Sequence, residues 1–198
     1  MRTKSHISQY LRQLHNLLLG FVKHMLIIRN SQKADMSAML TIINEAAHAY
    51  RGVIPDDRWR EPYMPPDELE KEIAEGIRFW IAEEENRLLG VMGIQDKGEV
   101  ALVRHAYVSP GTQRMGIGTR LLRHVESLTD KPILVGTWAD ASWAIEFYRR
   151  SGFTVVPRRQ KDALLRRYWS IHSRQIESSV VLADERWMGA QQPAPADG

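Results

Sequence analysis

Gln113-Arg114-Met115-Gly116-Ile117-Gly118 is the stretch whose reading decides the fold. Residues 99–108, Glu-Val-Ala-Leu-Val-Arg-His-Ala-Tyr-Val, stand before it and read as a strand. Residues 119–128, Thr-Arg-Leu-Leu-Arg-His-Val-Glu-Ser-Leu, follow with apolar side chains at helical spacing. A strand feeding a glycine-rich turn and then a helix N-terminus makes an anion site, because first-turn N–H groups have no intrahelical partner and the helix dipole adds partial positive charge. Phosphate is the natural guest. Gly116 and Gly118 carry no Cβ, so the backbone can reach phosphate oxygens and adopt positive φ where the wrap demands it.

Two other phosphate loops are excluded by what is missing. A Walker loop needs Lys-Ser/Thr after its last glycine, whereas Gly118 is followed by Thr119 and Arg120. A dinucleotide fingerprint needs Gly-x-Gly-x-x-Gly opening the first βαβ unit, with an acid near the end of the next strand, and this chain has neither. What matches is (Arg/Gln)-x-x-Gly-x-(Gly/Ala), carried by Gln113, Gly116 and Gly118. Downstream, residues 144–153 read Ala-Ile-Glu-Phe-Tyr-Arg-Arg-Ser-Gly-Phe, and between the two lies the apolar run 131–138, suited to a buried strand. With both motifs in this order the chain resembles the GNAT superfamily of N-acetyltransferases, over about residues 25–183 and most strongly over 99–153.

Length and composition agree with one α/β enzyme domain. A chain of 198 residues with 43% hydrophobic content can bury a full core. It has no cysteine, which excludes disulfides, thiolate catalysis and thiolate-bound zinc, and no metal is expected. The 27 basic and 24 acidic residues are well mixed, so the net charge of +3 points to no nucleic-acid partner. No run is long enough to cross a bilayer, and a cytoplasmic location is expected.

Residues 1–24 stand apart: Ile7, Leu11, Leu14, Leu18 and Phe21 describe an amphipathic helix. Serine and arginine are too few for a transit peptide, and the Leu17–Leu19 core is too short for a secretory signal. An extra helix on the domain or on a partner subunit is the expectation, with Met25 as an alternative natural start. The domain itself is expected over 25–183 and a tail over 184–198, disordered from 191 onward. Strands are expected at 26–28, 77–82, 87–95, 99–108, 131–138, 154–156 and 174–183. A first helix capped near Asp35 is expected, with others over 67–74, 119–128 and 161–169 and a helix and turn over 144–153, and residues 51–66, with four prolines, read as a structured loop. The resemblance implies a mixed, mostly antiparallel sheet of six to seven strands flanked by about four helices and splayed between the fourth and fifth strands. A homodimer is an open expectation, through the N-terminal helix or a C-terminal edge strand.

The resemblance also implies the chemistry. Gln113, Arg114, Met115, Gly116, Ile117, Gly118 and Thr119 would hold the pyrophosphate of acetyl-CoA, the co-substrate. Ala106, Tyr107 and Val108 would give backbone contacts to the pantetheine arm, paired as an added strand would be, and to the thioester carbonyl. Tyr148 would be the general acid: a departing thiolate has a pKa of about 8.5 and a tyrosine about 10, a workable match. The other reading of Tyr148 is packing beside Phe147 and Phe153. The fourth strand lacks a central glutamate, so the base falls to His105, to Glu99 at the strand start or to water, while a strand histidine is also an ordinary hydrogen-bonded residue. Where related motifs have asparagine, this chain has Ala141, and Asp140 or Ser142 is expected to cap the helix instead.

For the acceptor, a small amine bearing a carboxylate or other anion, the expected wall is Tyr50, Arg51, Trp59, Arg60, Tyr63 and Trp80, with Arg104 beside them. The same aromatics would equally pin a loop to the domain. Acetyl transfer to a primary amine of a small molecule or peptide, by direct attack in a ternary complex, is the leading function. A non-catalytic acyl-CoA sensor or regulatory module is the alternative, and an interaction module using the basic N-terminal helix is disfavoured by the mixed charge elsewhere.

Overall fold

A computed structural model describes residues 25–190 of the protein. The expected N-terminal helix and the tail from 191 lie outside the described residues. Seven strands form one open sheet: β1 (Ile27–Asn30), β2 (Ile77–Glu84), β3 (Arg87–Asp96), β4 (Ala101–Val108), β5 (Ile133–Trp138), β6 (Thr154–Val155) and β7 (Ser179–Ala183), in spatial order β1-β2-β3-β4-β5-β7-β6. β4 and β5 run parallel, and every other neighbouring pair is antiparallel. The β2–β3 reversal has Glu85 and Asn86 at φ 50° and 61°, the two positive values that a tight hairpin turn of matching twist requires.

The helices are α1 (Met36–Ala47), α2 (Pro66–Ala74), α3 (Ile117–Glu126), α4 (Ser142–Arg150), α5 (Arg158–Tyr168), α6 (Ser173–Glu177) and α7 (Glu185–Ala190). Their apolar stripes sort them onto the sheet's two faces. Ile117, Leu121, Leu122 and Val125 bury α3 against Ala101, Val103, Met92 and Ile94, with Tyr148 of α4 and Phe153 in the same cluster. On the opposite face Met39, Ile42 and Ile43 of α1 and Leu69 of α2 cover Ile77, Phe79, Ile81 and Val91. Leu164, Leu165 and Tyr168 of α5 cover Leu102, Leu134 and Val181.

Four local expectations are corrected. The strand expected over 174–183 begins only at Ser179, because one turn of α6 carries Ile176 into the cluster with Leu164 and Tyr168, where its carbonyl accepts the buried Lys161 ammonium. The C-terminal edge is the two-residue β6 rather than β7, which is paired on both sides. Asp35 precedes α1 but does not cap it through its side chain; its carboxylate accepts the Gln32 N–H at 2.7 Å and the Arg29 guanidinium at 2.8 and 2.9 Å. Residues 185–190, expected in the tail, form α7, with Trp187 and Met188 packed on the core and the Trp187 N–H bonded to Asp184 Oδ1 at 3.1 Å. Among the described residues no helix is long and apolar enough to cross a membrane.

Candidate functional site

The site begins with one extra residue in β4. Gly93 pairs with Arg104 and Val91 with Tyr107, so Met92 faces both His105 and Ala106. His105 absorbs the insertion with φ 48°, a left-handed conformation uncommon for a residue with a side chain. Such a bulge bends its strand, and here the parallel ladder to β5 joins only residues 101–103 to 133–135 before it ends. Beyond that point the facing edges of β4 and β5 separate, and each is hydrogen-bonded only on its outer side, to β3 and to β7.

The strand delivers the chain to a short turn over Pro110–Thr112 and then to the loop before α3. Gly116, at φ 78°, is the helix N-cap, and a Cβ built on it would meet nothing within 4 Å. The space above it is therefore open to a ligand that comes against the backbone. Arg114 is also left-handed, at φ 65°. A cleft of about 520 Å³ runs from Gln113, Gly116 and Thr119 past Phe147 of α4 and ends at Tyr148 and Ala106. Its walls are chiefly apolar side chains and open backbone, the composition that a long, flexible phosphate-bearing molecule needs. The N-terminus of α4 is capped by the backbone of Ala141, without a side-chain hydrogen bond, so neither Asp140 nor Ser142 plays the capping role expected for it.

A second cleft, of about 180 Å³, opens where β5 has left β4. It shares Tyr50, Ala106, Tyr107 and Tyr148 with the first. The phenol rings form a connected group, with Tyr107 6.4 Å from Tyr50 and 6.3 Å from Tyr63 between centroids. Burial, reinforced by Tyr63 and opposed by a hydrogen bond with Thr137, pushes the Tyr50 phenol up to about 12. Burial likewise raises Tyr63, Tyr107 and Tyr148, for Tyr148 with Tyr50 adding to the effect. All four are neutral hydroxyls at physiological pH and can donate a hydrogen bond. The upward shift corrects the match expected between Tyr148 and a thiol: burial makes this phenol a weaker acid than an ordinary tyrosine, so proton delivery from it needs the full negative charge of a departing thiolate.

His105 and Arg104 point to one carboxylate that the sequence reading missed. Glu72 of α2 bonds the His105 Nε2 with one oxygen and accepts Arg104 Nη2 at 3.1 Å with the other; Arg104 Nη1 donates to Gln95 Oε1 at 3.0 Å. Burial would raise the Glu72 carboxyl, but His105 and Arg104 together hold it below the usual range. With Nε2–H directed to Glu72, Nδ1 is the nitrogen left with a lone pair. The signal lay three residues past the buried Leu69, on the inward side of an otherwise charged helix.

Of the other sequence candidates, Tyr63, Arg104, Ala106, Tyr107 and Tyr148 line the small cleft, while Val108, Gln113, Arg114, Ile117, Gly118 and Thr119 line the large one. Met115 lies in the same loop and is 67% exposed. Trp80 is not among them. It projects from the sheet's other face and meets the tilted ring of His124 of α3 at 4.2 Å between centroids, because its alternation matches Met92 rather than Phe79. Glu99 is also removed from the site, bound to Arg167 at 2.8 Å and to the Tyr168 hydroxyl at 3.0 Å at the start of β4. Arg51 meets Glu61 at 2.6 Å and Arg60 meets Glu68, so both cations of the expected cluster already have partners. His48 and Arg51 hold Glu61 down to about 2.

The profile of the acetyltransferase (GNAT) domain matches residues 41–167, which is more than half of the chain and includes the bulge, the loop and Tyr148. The chain belongs to the GNAT acetyltransferase family. No curated protein matches it. Among solved structures, this GNAT chain is similar to the PaiA N-acetyltransferase of Thermoplasma acidophilum, in complex with coenzyme A, at a TM-score of 0.63 and 20% identity, over 81% of this chain and 98% of that one. It is similar to the ribosomal-protein-S18-alanine N-acetyltransferase of Escherichia coli at 0.58 and 18%, over 81% and 93%. It is also similar to the acetyltransferase YncA of Salmonella typhimurium, with its cofactor acetyl-CoA, at 0.52 and 22%, over 67% and 81%. At these identities the likeness is one of fold: the GNAT sheet, opened between its fourth and fifth strands.

Proposed function

We propose that this GNAT protein moves an acetyl group from acetyl-CoA to a primary amine by direct attack, with Tyr148 as general acid and His105, positioned by Glu72, as general base. The observation that carries the reading is the shared wall: Tyr50, Ala106, Tyr107 and Tyr148 belong to both clefts, so a thioester arriving along one and an amine along the other meet beside one phenol. The first-turn N–H groups of α3 and the backbone around Gly116 suit the pyrophosphate, and the parted edge of β4 suits the amides of the arm.

In this reading the ammonium gives one proton to His105. The freed lone pair forms the C–N bond, the C–S bond breaks with its electron pair leaving on sulfur, Tyr148 protonates that sulfur, and the second nitrogen proton restores Tyr148. The products are an amide, the coenzyme thiol and a protonated base. Burial strengthens each of these hydrogen bonds by lowering the local dielectric. The acceptor is a small amine, and the protein acts in the cytoplasm.

The test is thermal unfolding with and without acetyl-CoA, alongside coenzyme release in the presence of amines. At about one hundred times its dissociation constant, acetyl-CoA should stabilise the fold by about 2.7 kcal/mol, and Gly116→Val should abolish the effect, since valine is strained at φ 78° and its Cβ enters the space above the loop. An identical unfolding curve with saturating acetyl-CoA would overturn the reading.

A further inference from the structure

We infer that the small cleft selects a singly charged primary amine with a compact aromatic body, an arylalkylamine, over polyamines and over amino acids with free carboxylates. The inference rests on the acetyl-transfer reading above. Its first support is the absence of free charge. Among the described residues the cleft wall contains no aspartate, glutamate or lysine; its one guanidinium, Arg104, is paired with Glu72 and hydrogen-bonded to Gln95, and its one histidine, His105, is bonded to the same Glu72 carboxylate. The second ammonium of a diamine would therefore have no counter-charge there, and a substrate carboxylate would have no uncommitted cation.

The second support is a floor made by an indole. Trp169 lies against β5 at Gly136, where an added Cβ would be 3.2–3.3 Å from three atoms of the indole, Cε2, Cζ2 and Nε1. Glycine at 136 lets the ring lie directly on the strand backbone. With Trp138, Tyr50 and Tyr63 it gives the cleft an aromatic side, set among the polar groups of Arg104, His105, Thr137, Gln175 and Ser179. Such faces attract an ammonium and pack against an aromatic ring. A cavity of about 150 Å³ accepts benzene, so the 180 Å³ here seats one ring, with the amine directed at the junction beside Tyr148 and Ala106.

The amine nitrogen gains the acetyl carbon and loses two protons by the transfer already described, whichever amine is used, so acceptor comparison isolates the cleft. Coenzyme release from acetyl-CoA should be measured with 2-phenylethylamine, 1,4-diaminobutane, glutamate and an alanine tetrapeptide, together with calorimetric binding of acetyl-CoA. The expected result is a kcat/KM for phenylethylamine at least about 10²-fold above the others, because a second charge buried without a partner costs more than the single hydroxyl that a pocket rejects by about that factor. Gly136→Ala, which displaces the indole, and Trp169→Phe, which shrinks it, should each raise the phenylethylamine KM roughly tenfold and leave acetyl-CoA affinity unchanged. Equal or better turnover of the diamine, glutamate or the peptide overturns the inference. So does an unaltered KM in both variants, or acetyl-CoA binding without release by phenylethylamine. Failure of wild-type protein to bind acetyl-CoA overturns the acetyl-transfer reading instead.

Discussion

Tyr148 is a buried phenol, 5% exposed, with its ring in edge contact with Phe147 at 5.0 Å and Phe153 at 5.7 Å and both clefts ending at it. The two readings that its sequence position allowed, packing and chemistry, are thus compatible in one side chain. Tyr148→Phe keeps the packing, so turnover should fall by roughly 10²- to 10⁴-fold while acetyl-CoA affinity holds, the pattern of a group needed as charge develops on sulfur. Full activity in the variant would make the ring a core residue only; equal losses of rate and affinity would make it a binding residue. For Glu72 the test is acid stability. Its carboxyl lies below the ordinary 4.5, so the folded state binds fewer protons than the unfolded one between the two values. The stability it confers is present above pH 4.5 and is lost as pH falls through the lowered value. Urea unfolding at pH 7 and pH 4 should show wild-type protein losing more stability between the two than Glu72→Gln does. Glu72 was hidden from the sequence because the partner of a strand histidine came from a helix 33 residues away. Trp80 misled because its aromatic character was legible and its face was not.

At the scale of elements, the loop was the most legible part, since Gly116 and Gly118 announce a backbone conformation by lacking a side chain. The bulge was not legible: His105 at φ 48° follows from how β3 and β4 register, and no local residue preference encodes it. Gly93 stands opposite that insertion, and a Cβ there would lie 2.8 Å from Ile77 Cγ2, 3.1 Å from the Arg104 carbonyl and 3.2 Å from Phe79 Cε1. Gly93→Ala must push β4 or its neighbours outward. We expect about 1–3 kcal/mol of destabilisation, the usual range for overpacking, read from chemical denaturation. A neutral Gly93→Ala would show that the strand can slide to accommodate it. The strand expected over 174–183 failed for a related reason: Ile176 fits a period of two with Val180 and Leu182, yet one helical turn buries it better against α5.

Across the whole molecule, β1 to β4 form one half-sheet and β5, β7 and β6 another, joined through the three paired positions at residues 101–103 and 133–135. The mixed sheet and its splay between the fourth and fifth strands followed from the resemblance that the two motifs carry. The depth of the opening did not, because it depends on the bulge. Hydrogen exchange should find the amides between β2 and β3 strongly protected and those of β4 beyond Val103 that face β5 rapidly exchanging, with the latter slowed when acetyl-CoA occupies the gap. Uniform protection along both edges of β4 would contradict the splay.

The placement of the tryptophans gives each cleft its own optical reporter. Trp143 is 44% exposed on the wall of the large cleft, 5.3 Å from the ring of Tyr50, whereas Trp138 and Trp169 line the small one. Trp80 and Trp187 have buried indole N–H groups away from both. Within the intrinsic emission of the unlabelled protein, Trp143 therefore reports on the large cleft and Trp138 with Trp169 on the small one. With Trp143 replaced by phenylalanine, a change in emission on adding ligand follows the small cleft, and with Trp138 and Trp169 both replaced it follows the large one.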